Sequence, residues 1–342
     1  MFYRNQTTAA QTAYASLSSA ALLDNVRNIA SVPGSFSLKN VKGKPYWYYQ
    51  VPDLTGKQKQ IFLGPATTEL TALIEQHKNK PGDGQHMRDL ARMAIHAGCA
   101  YLVPNHAKII TRLADAGFFR AGGILIGTHV YMGYQNLLGV KWASGAQTLD
   151  IDFAHPGRNI SIALPSDVRM DTKDAIASLK MGFVPVQSLT TYVKSDEKDL
   201  QIDFVTTVHR GGDKPIKIES LNIEMQPLKF MEFAMESPIQ MTMMANQGPI
   251  IVNTPPPEKY AVHKLLVYGE RPPEMRVKAG KDLEQAACLI AYLSEHDPEL
   301  LRASWRDLIS RGKGWRQRAV QGLEAVQARY PELDVAALKA VS

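Results

Sequence analysis

The chain has 342 residues, with 39 Lys plus Arg against 33 Asp plus Glu and a formal net charge of +6. That length points to about two domains. A content of 45% hydrophobic and 21% charged residues excludes a wholly disordered chain, a collagen-like chain and a coiled coil. The small basic excess suits a polyanionic partner without requiring one. Cys99 and Cys288 are too few for a disulfide framework or a Cys-rich zinc site, and read as two reduced, buried thiols. No apolar run approaches the roughly 18 residues of a membrane span. The opening Met1 to Gln6 lacks the apolar core of a signal peptide, so a cytoplasmic protein is expected.

In chain order, Thr8 to Ala30 is rich in Ala and Leu and reads as a helix ended by Pro33-Gly34. Three β-rich runs follow around Phe36, Tyr46 to Tyr49 and Gln60 to Leu63, with Gly-containing turns between them. They predict a three-stranded antiparallel meander. Helices are expected over 67–78, 86–97 and 105–116, the last capped by Gly117. An apolar strand at Ile124 to Ile126 runs into Gly127-Thr128 and a helix to Leu138. Strands are expected at 149–154, 160–164, 183–186, 192–194, 200–205, 216–218 and 249–252, with a helix over 172–180. From Tyr260 onward the pattern is helical, broken at Pro272-Pro273 and Asp297-Pro298. The division expected is an N-terminal module over 1–85, a core over 86–255 and a helical domain over 256–342. The fold class is α/β (α+β) with a mixed sheet.

The chemistry concentrates in Asp150-Ile151-Asp152. On a strand, alternation sends both carboxylates to one face, about 7 Å apart along the chain, while Ile151 and Phe153 turn to the core. A third acid, Asp203, lies in a matching apolar run, Gln201 to Val205. If the two strands pair, three carboxylates meet at one edge, which suits one or two divalent cations. Upstream, the Gly127-Thr128 junction offers backbone N–H groups and the positive end of a helix dipole to a phosphate.

The order strand, Gly127-Thr128, helix, Asp150-x-Asp152, then Asp203 resembles the nucleotidyltransferase superfamily related to DNA polymerase beta. The similarity spans about residues 90–295. It includes Tyr134-Gln135, Leu138 to Lys141, Leu179 to Phe183 and His263 to Leu265. It is nearest to a bacterial branch, and more distantly to abortive-infection-type toxins, so a toxin or defence role follows from resemblance alone. Thr128 stands where many members have Ser, and Asp150 lies 22 positions after it, a longer spacing than in minimal members.

The resemblance implies that Asp150, Asp152 and Asp203 are catalytic and hold Mg²⁺ or Mn²⁺. Gly127 and Thr128 would then hold the phosphates of an NTP substrate. It also implies nucleotide contacts from Lys264 and from Lys281, which with Asp282 looks like a recurring Lys-Asp pair. Lys141 is a further phosphate-neutralising candidate, whereas His129 reads as a packing residue. The acceptor hydroxyl could belong to RNA, a protein or a small molecule; two basic stretches carrying aromatic residues, 39–60 and 302–318, suit nucleic acid and favour RNA, such as tRNA. The Met cluster at 231–244 reads as adaptable core. Two other readings compete: a non-catalytic nucleic-acid-binding protein of this fold, in which the acids fail to converge or the metal face is blocked, and a metal-dependent nuclease.

Overall fold

The computed structural model describes the chain apart from residues 30–34, 42–43, 53–57, 67, 69–70, 73, 76–83, 145–147, 158–168, 187–188, 209–211 and 340–342. The strand expected at 160–164 and most of the helix expected over 67–78 lie outside the described residues.

The chain opens with a short strand, β1 (Tyr3–Asn5), and the long helix α1 (Thr8–Ile29). The meander forms as expected: β2 (Ser35–Val41), β3 (Lys44–Pro52) and β4 (Gln58–Pro65) pair antiparallel in that order. Two helices follow, α2 (Gly84–His96) and α3 (Pro104–Asp115). Gly117 adopts φ +94° just beyond α3, the left-handed position that closes a helix without a Cβ clash.

Among the described residues the central sheet has seven strands. They are β5 (Ile124–Leu125) and, after helix α4 (Gly127–Leu137) and strand β6 (Val140–Trp142), β7 (Asp150–His155). Helix α5 (Thr172–Ser178) leads to β8 (Phe183–Val186), β9 (Thr191–Lys194), β10 (Glu197–Thr207), β11 (Ile216–Ile218) and β12 (Ile223–Leu228). The sheet is mixed. β10 runs parallel to β7 and β12, while β5 is antiparallel to β7 and β9 to β10.

Strict alternation makes these strands. Ile151 and Phe153 on β7, with Leu200, Ile202 and Phe204 on β10, are buried, and their sequence neighbours face the other side. Phe153 stacks on Phe204 with centroids 5.6 Å apart, and Phe118 meets both rings edge-on. Truncating Phe153 to Ala in so dense a core costs about 3–5 kcal/mol. This aromatic core is the floor that fixes the register of the acidic face above it.

A short helix, α6 (Met231–Met235), and a hairpin, β13 (Ile239–Ala245) and β14 (Gly248–Thr254), complete the mixed part. Met231, Met235, Met241, Met243 and Met244 are all buried. Then come α7 (Pro257–Glu270), α8 (Arg276–His296), α9 (Pro298–Ser310), α10 (Lys313–Arg329) and α11 (Ala336–Lys339). The sequence pattern does not foresee β1, β6, β12, β13 or α6. β1 and β6 have three residues each and pair only with one another, Tyr3 facing Trp142. The Met-rich β13 is buried on both faces from Met241 onward, so it carries no alternation to read. No helix among the described residues is long and apolar enough to cross a membrane.

Candidate active site

Pairing of β7 with β10 places Asp203 directly opposite Asp152, and Gln201 opposite Asp150. Asp150, Asp152 and Asp203 therefore share one face. Each offers a carboxylate oxygen, and the three oxygens lie within 4.8 Å of one another. Burial pushes the Asp152 carboxyl up, and the charges of Asp150 and Asp203 push it further, to about 7. Asp203 is raised by burial and by Asp150, against the opposing hydrogen bond from Thr191, whose hydroxyl donates at 2.6 Å. Burial also acts to raise Asp150. There the Thr148 hydroxyl and the ammonium groups of Lys278 and Lys281 outweigh it, and the carboxyl lies below the usual range. Three carboxylates forced together at this cost, with oxygen donors only, form a set suited to a hard divalent cation.

The turn into α4 abuts this triad. The backbone N–H of Ile126 donates to the Asp152 carbonyl at 3.0 Å, and α4 begins at Gly127 with no side-chain cap. The first amides of the helix are left for a ligand. Gly127 has φ +69°, and a Cβ there would stand 2.1 Å from Asp152 Oδ2. Both the backbone conformation and the approach of the carboxylate demand glycine.

Behind the turn, buried Gln285 donates to Thr128 Oγ1 at 3.3 Å, and the Tyr260 hydroxyl lies 2.7 Å from Gln285 Oε1 and 3.0 Å from the Gly127 carbonyl oxygen. Helices α7 and α8 thus brace the turn from the opposite side. Buried Asp282 accepts from Lys264 at 2.7 Å and from Arg271. Burial would raise its carboxyl, but these two cations hold it below the ordinary range.

The cleft over the triad has a volume of about 340 Å³, and its walls include Gly127, Thr128, Lys264, Arg271, Lys278 and Lys281. Past Asp150 it opens into a second lobe of about 880 Å³. Thr148, Asp150, Lys278 and Lys281 line both lobes.

Residues 105–310 match a family model described as "Nucleotidyltransferase". The chain belongs to this nucleotidyltransferase family. Among solved structures, the crystal structure of an antigenic nucleotidyltransferase-like protein from Paracoccidioides brasiliensis is similar at 17% identity, over 70% of this chain and 94% of that one, with a TM-score of 0.36. No curated protein matches.

Within this nucleotidyltransferase the fold brings together Gly127, Thr128, Asp150, Asp152, Asp203, Lys264 and Lys281. Lys141 is the exception. It sits on β6 opposite Arg4 of β1, and its ammonium lies beside Gly98. It does not line the cleft, because the β1–β6 ribbon turns it the other way. The neighbours Lys281 and Asp282 divide their tasks: Lys281 lines the cleft, and Asp282 is buried behind it. His129 is buried, as expected.

Lys278, Arg271, Gln285 and Thr191 also belong to the site and carry no motif of their own in the sequence. Helical spacing offered one signal: residues 278, 281, 282 and 285 recur at three- and four-residue steps on one face of α8.

The basic stretch 302–318 behaves differently from its expectation. Trp305 is fully buried, and Trp315 packs edge-on against Phe230 at 4.7 Å. Arg311 is held by Glu236 and Asp307, and Arg318 by Glu270. The Trp305 ring serves packing alone, and the Trp315 ring is partly buried against the core. In the other stretch, Trp47 and Tyr49 are likewise buried, and Lys39 lies 5.8 Å over the Tyr48 ring.

Proposed function

We propose that the protein carries out Mg²⁺- or Mn²⁺-dependent transfer of a nucleotide from an NTP to an acceptor hydroxyl. The observation that carries this reading is the meeting of Asp150, Asp152 and Asp203 within 4.8 Å, against a glycine that only this conformation and close approach require.

Asp150, Asp152 and Asp203 would hold the divalent cation, which when bound draws charge from the phosphates and acidifies the acceptor hydroxyl. The chain's own groups do the rest. The α4 amides at Gly127 and Thr128 receive phosphate oxygens, and Lys264, Arg271, Lys278 and Lys281 neutralise the charge that accumulates on the leaving pyrophosphate. The acceptor oxygen forms a bond to the α-phosphorus as the bond from that phosphorus to the β-bridging oxygen breaks, and pyrophosphate departs with the electron pair. Asp203, beside the reacting centre, helps to take up the hydroxyl proton. Tyr260 and Gln285 keep the turn in register with the acids.

The acceptor expected from the sequence was RNA or tRNA. Among the described residues its support is the exposed Arg306, Lys313 and Arg316, and the side chains of Lys42, Lys44, Lys57 and Lys59 lie outside the described residues. The test is incubation with α-labelled NTPs, Mg²⁺ or Mn²⁺, and separate RNA, protein and small-molecule acceptors. Label should appear on an acceptor and vanish in Asp150→Ala. Degradation of RNA without NTP would replace this reading with a nuclease.

A further inference from the structure

The basic side chains of the cleft are held in unlike ways. Lys264 and Arg271 are fixed by buried Asp282, and their side chains are 15% and 24% exposed. Among the described residues Lys278 has no such anchor. Its side chain is 63% exposed, and its ion pair is with the triad itself, Nζ to Asp150 Oδ2 at 4.0 Å. Burial acts to raise all three acids, and the Lys278 charge acts against it at each of them.

The placement of Lys278 runs against the local rules of helix building. It lies in the first turn of α8, which carries no acidic residue and whose N-cap, Met275, offers no side-chain hydrogen bond. A cation there opposes the helix dipole and the unpaired amides, where Asp or Glu would support them. A residue that breaks such a rule beside a cleft marks a functional position. What it meets there is one oxygen in particular. Asp150 Oδ1 accepts from the Thr148 hydroxyl, which leaves Oδ2 as the freer donor to a metal ion, and Oδ2 is the oxygen that faces Lys278.

An ammonium group and a divalent cation cannot both sit against that oxygen, because like charges at contact distance repel strongly in a partly buried cleft. Phosphates bound along Gly127, Thr128 and the basic wall offer the ammonium a second partner in the same cleft, and the flexible four-carbon stem of lysine lets it change partners. Resting on the nucleotidyl-transfer reading above, we propose that Lys278 is an exchangeable counter-ion, which holds Asp150 against a bare divalent cation and yields it when the cation arrives with the phosphates of an NTP. Displaced by metal alone, the ammonium is left facing another cation. Displaced by the metal–nucleotide complex, it turns to the phosphates. Lys278 thereby makes the site select the complex over free metal, and it couples the two affinities.

The experiment titrates the full chain with Mn²⁺ alone, followed by electron paramagnetic resonance. It then measures binding of the α,β-methylene analogues of the four ribonucleoside triphosphates at saturating Mn²⁺ by equilibrium dialysis. Lys278→Met should bind Mn²⁺ about tenfold more tightly than wild type and the preferred analogue about tenfold more weakly. Lys278→Arg, which keeps the charge, should stay near wild type in both. Opposite signs from one substitution separate exchange from a structural lesion, which would weaken both. The tighter Mn²⁺ binding should vanish in Lys278→Met/Asp150→Asn, which ties it to this carboxylate. Lys278→Met that binds Mn²⁺ no more tightly than wild type, or the analogue equally well, would overturn the proposal. Wild type that labels an acceptor from α-labelled NTP beside that result would leave nucleotidyl transfer standing. Wild type that labels none, with the Mn²⁺ titrations as expected, would remove the transfer reading and leave the exchange at Asp150.

Discussion

Two basic regions of this nucleotidyltransferase look alike in sequence and do opposite things. One runs from Lys264 to Lys281 and the other from Arg302 to Arg318. In the second, Glu236, Glu270 and Asp307 take up Arg311 and Arg318, Trp305 is fully buried and Trp315 packs partly buried on Phe230. In the first, buried Asp282 holds Lys264 and Arg271 in place while both still line the cleft, and Lys278 and Lys281 face the triad directly. A count of positive charges cannot tell these cases apart. The geometry of the neutralising carboxylates does: one at the back of the site aims its cations forward, whereas those at the surface retire them.

The largest effect should come from removing the charge that the first region serves. Asp152→Asn should lower kcat about 10³-fold or more, since it removes a cation ligand and a fixed charge at the reacting phosphorus. The same substitution should stabilise the metal-free protein at neutral pH. The sign follows from proton binding. Asp152 titrates at about 7 in the folded chain against about 3.9 unfolded. Below about pH 4 both states hold the proton, and nothing is lost. Between about 4 and 7 the unfolded chain releases it while the folded chain keeps it, so stability falls as pH rises, and above 7 the full penalty remains. Part of the side chain faces the open cleft, so the penalty is on the order of 2 kcal/mol rather than the full shift. Thermal melts of wild type and variant across pH 4–8 should diverge as pH rises, and curves that stay parallel would contradict the burial of this carboxyl. Added Mn²⁺ should close the gap by raising only the wild type.

Breaking the back of the first region should come next. Asp282→Asn leaves Lys264 and Arg271 without their shared counter-ion, and loss of one partner of a buried pair costs about 3–5 kcal/mol. A large fall in melting temperature with a rise in KM for NTP is expected. Normal KM in the folded fraction would mean that Asp282 only holds α7 to α8.

The acids that make these predictions were legible in the sequence because alternation is a local code. Asp150-x-Asp152 and Gln201 to Val205 announce their own faces, and only the pairing of β7 with β10 had to be supplied. The rest of the site was not local. Lys278, Arg271 and Gln285 come to the cleft from a helical segment at least 68 positions beyond Asp203, the last of the three acids, and nothing about a surface-type helix states which sheet edge it will cover. Lys141 failed for the converse reason. It lies close to the motif in sequence, but β6 leaves the central sheet to pair with β1. The rings of 302–318 failed because an aromatic beside an arginine looks the same whether it stacks on a base or packs on Phe230.

A smaller effect should come from a single lysine of the cleft wall. Lys281→Met should raise KM for NTP about tenfold, the cost of one partly solvated phosphate contact. A variant with normal NTP kinetics would take Lys281 out of the phosphate lobe.

The smallest effect is expected from the second region, and it is the sharpest test of the contrast. Arg306→Met and Arg316→Met remove exposed charges from α9 and α10. Isolated exposed charges contribute at most about 1 kcal/mol, so stability should hold. If the acceptor is a small molecule, these arginines meet no substrate, and kcat/KM should change less than about twofold. If the acceptor is RNA, each lost phosphate contact should weaken it and lower the salt dependence of KM by about one unit of slope. Measuring KM for the acceptor against salt concentration therefore decides whether this face is idle or is the tract that a polyanion follows.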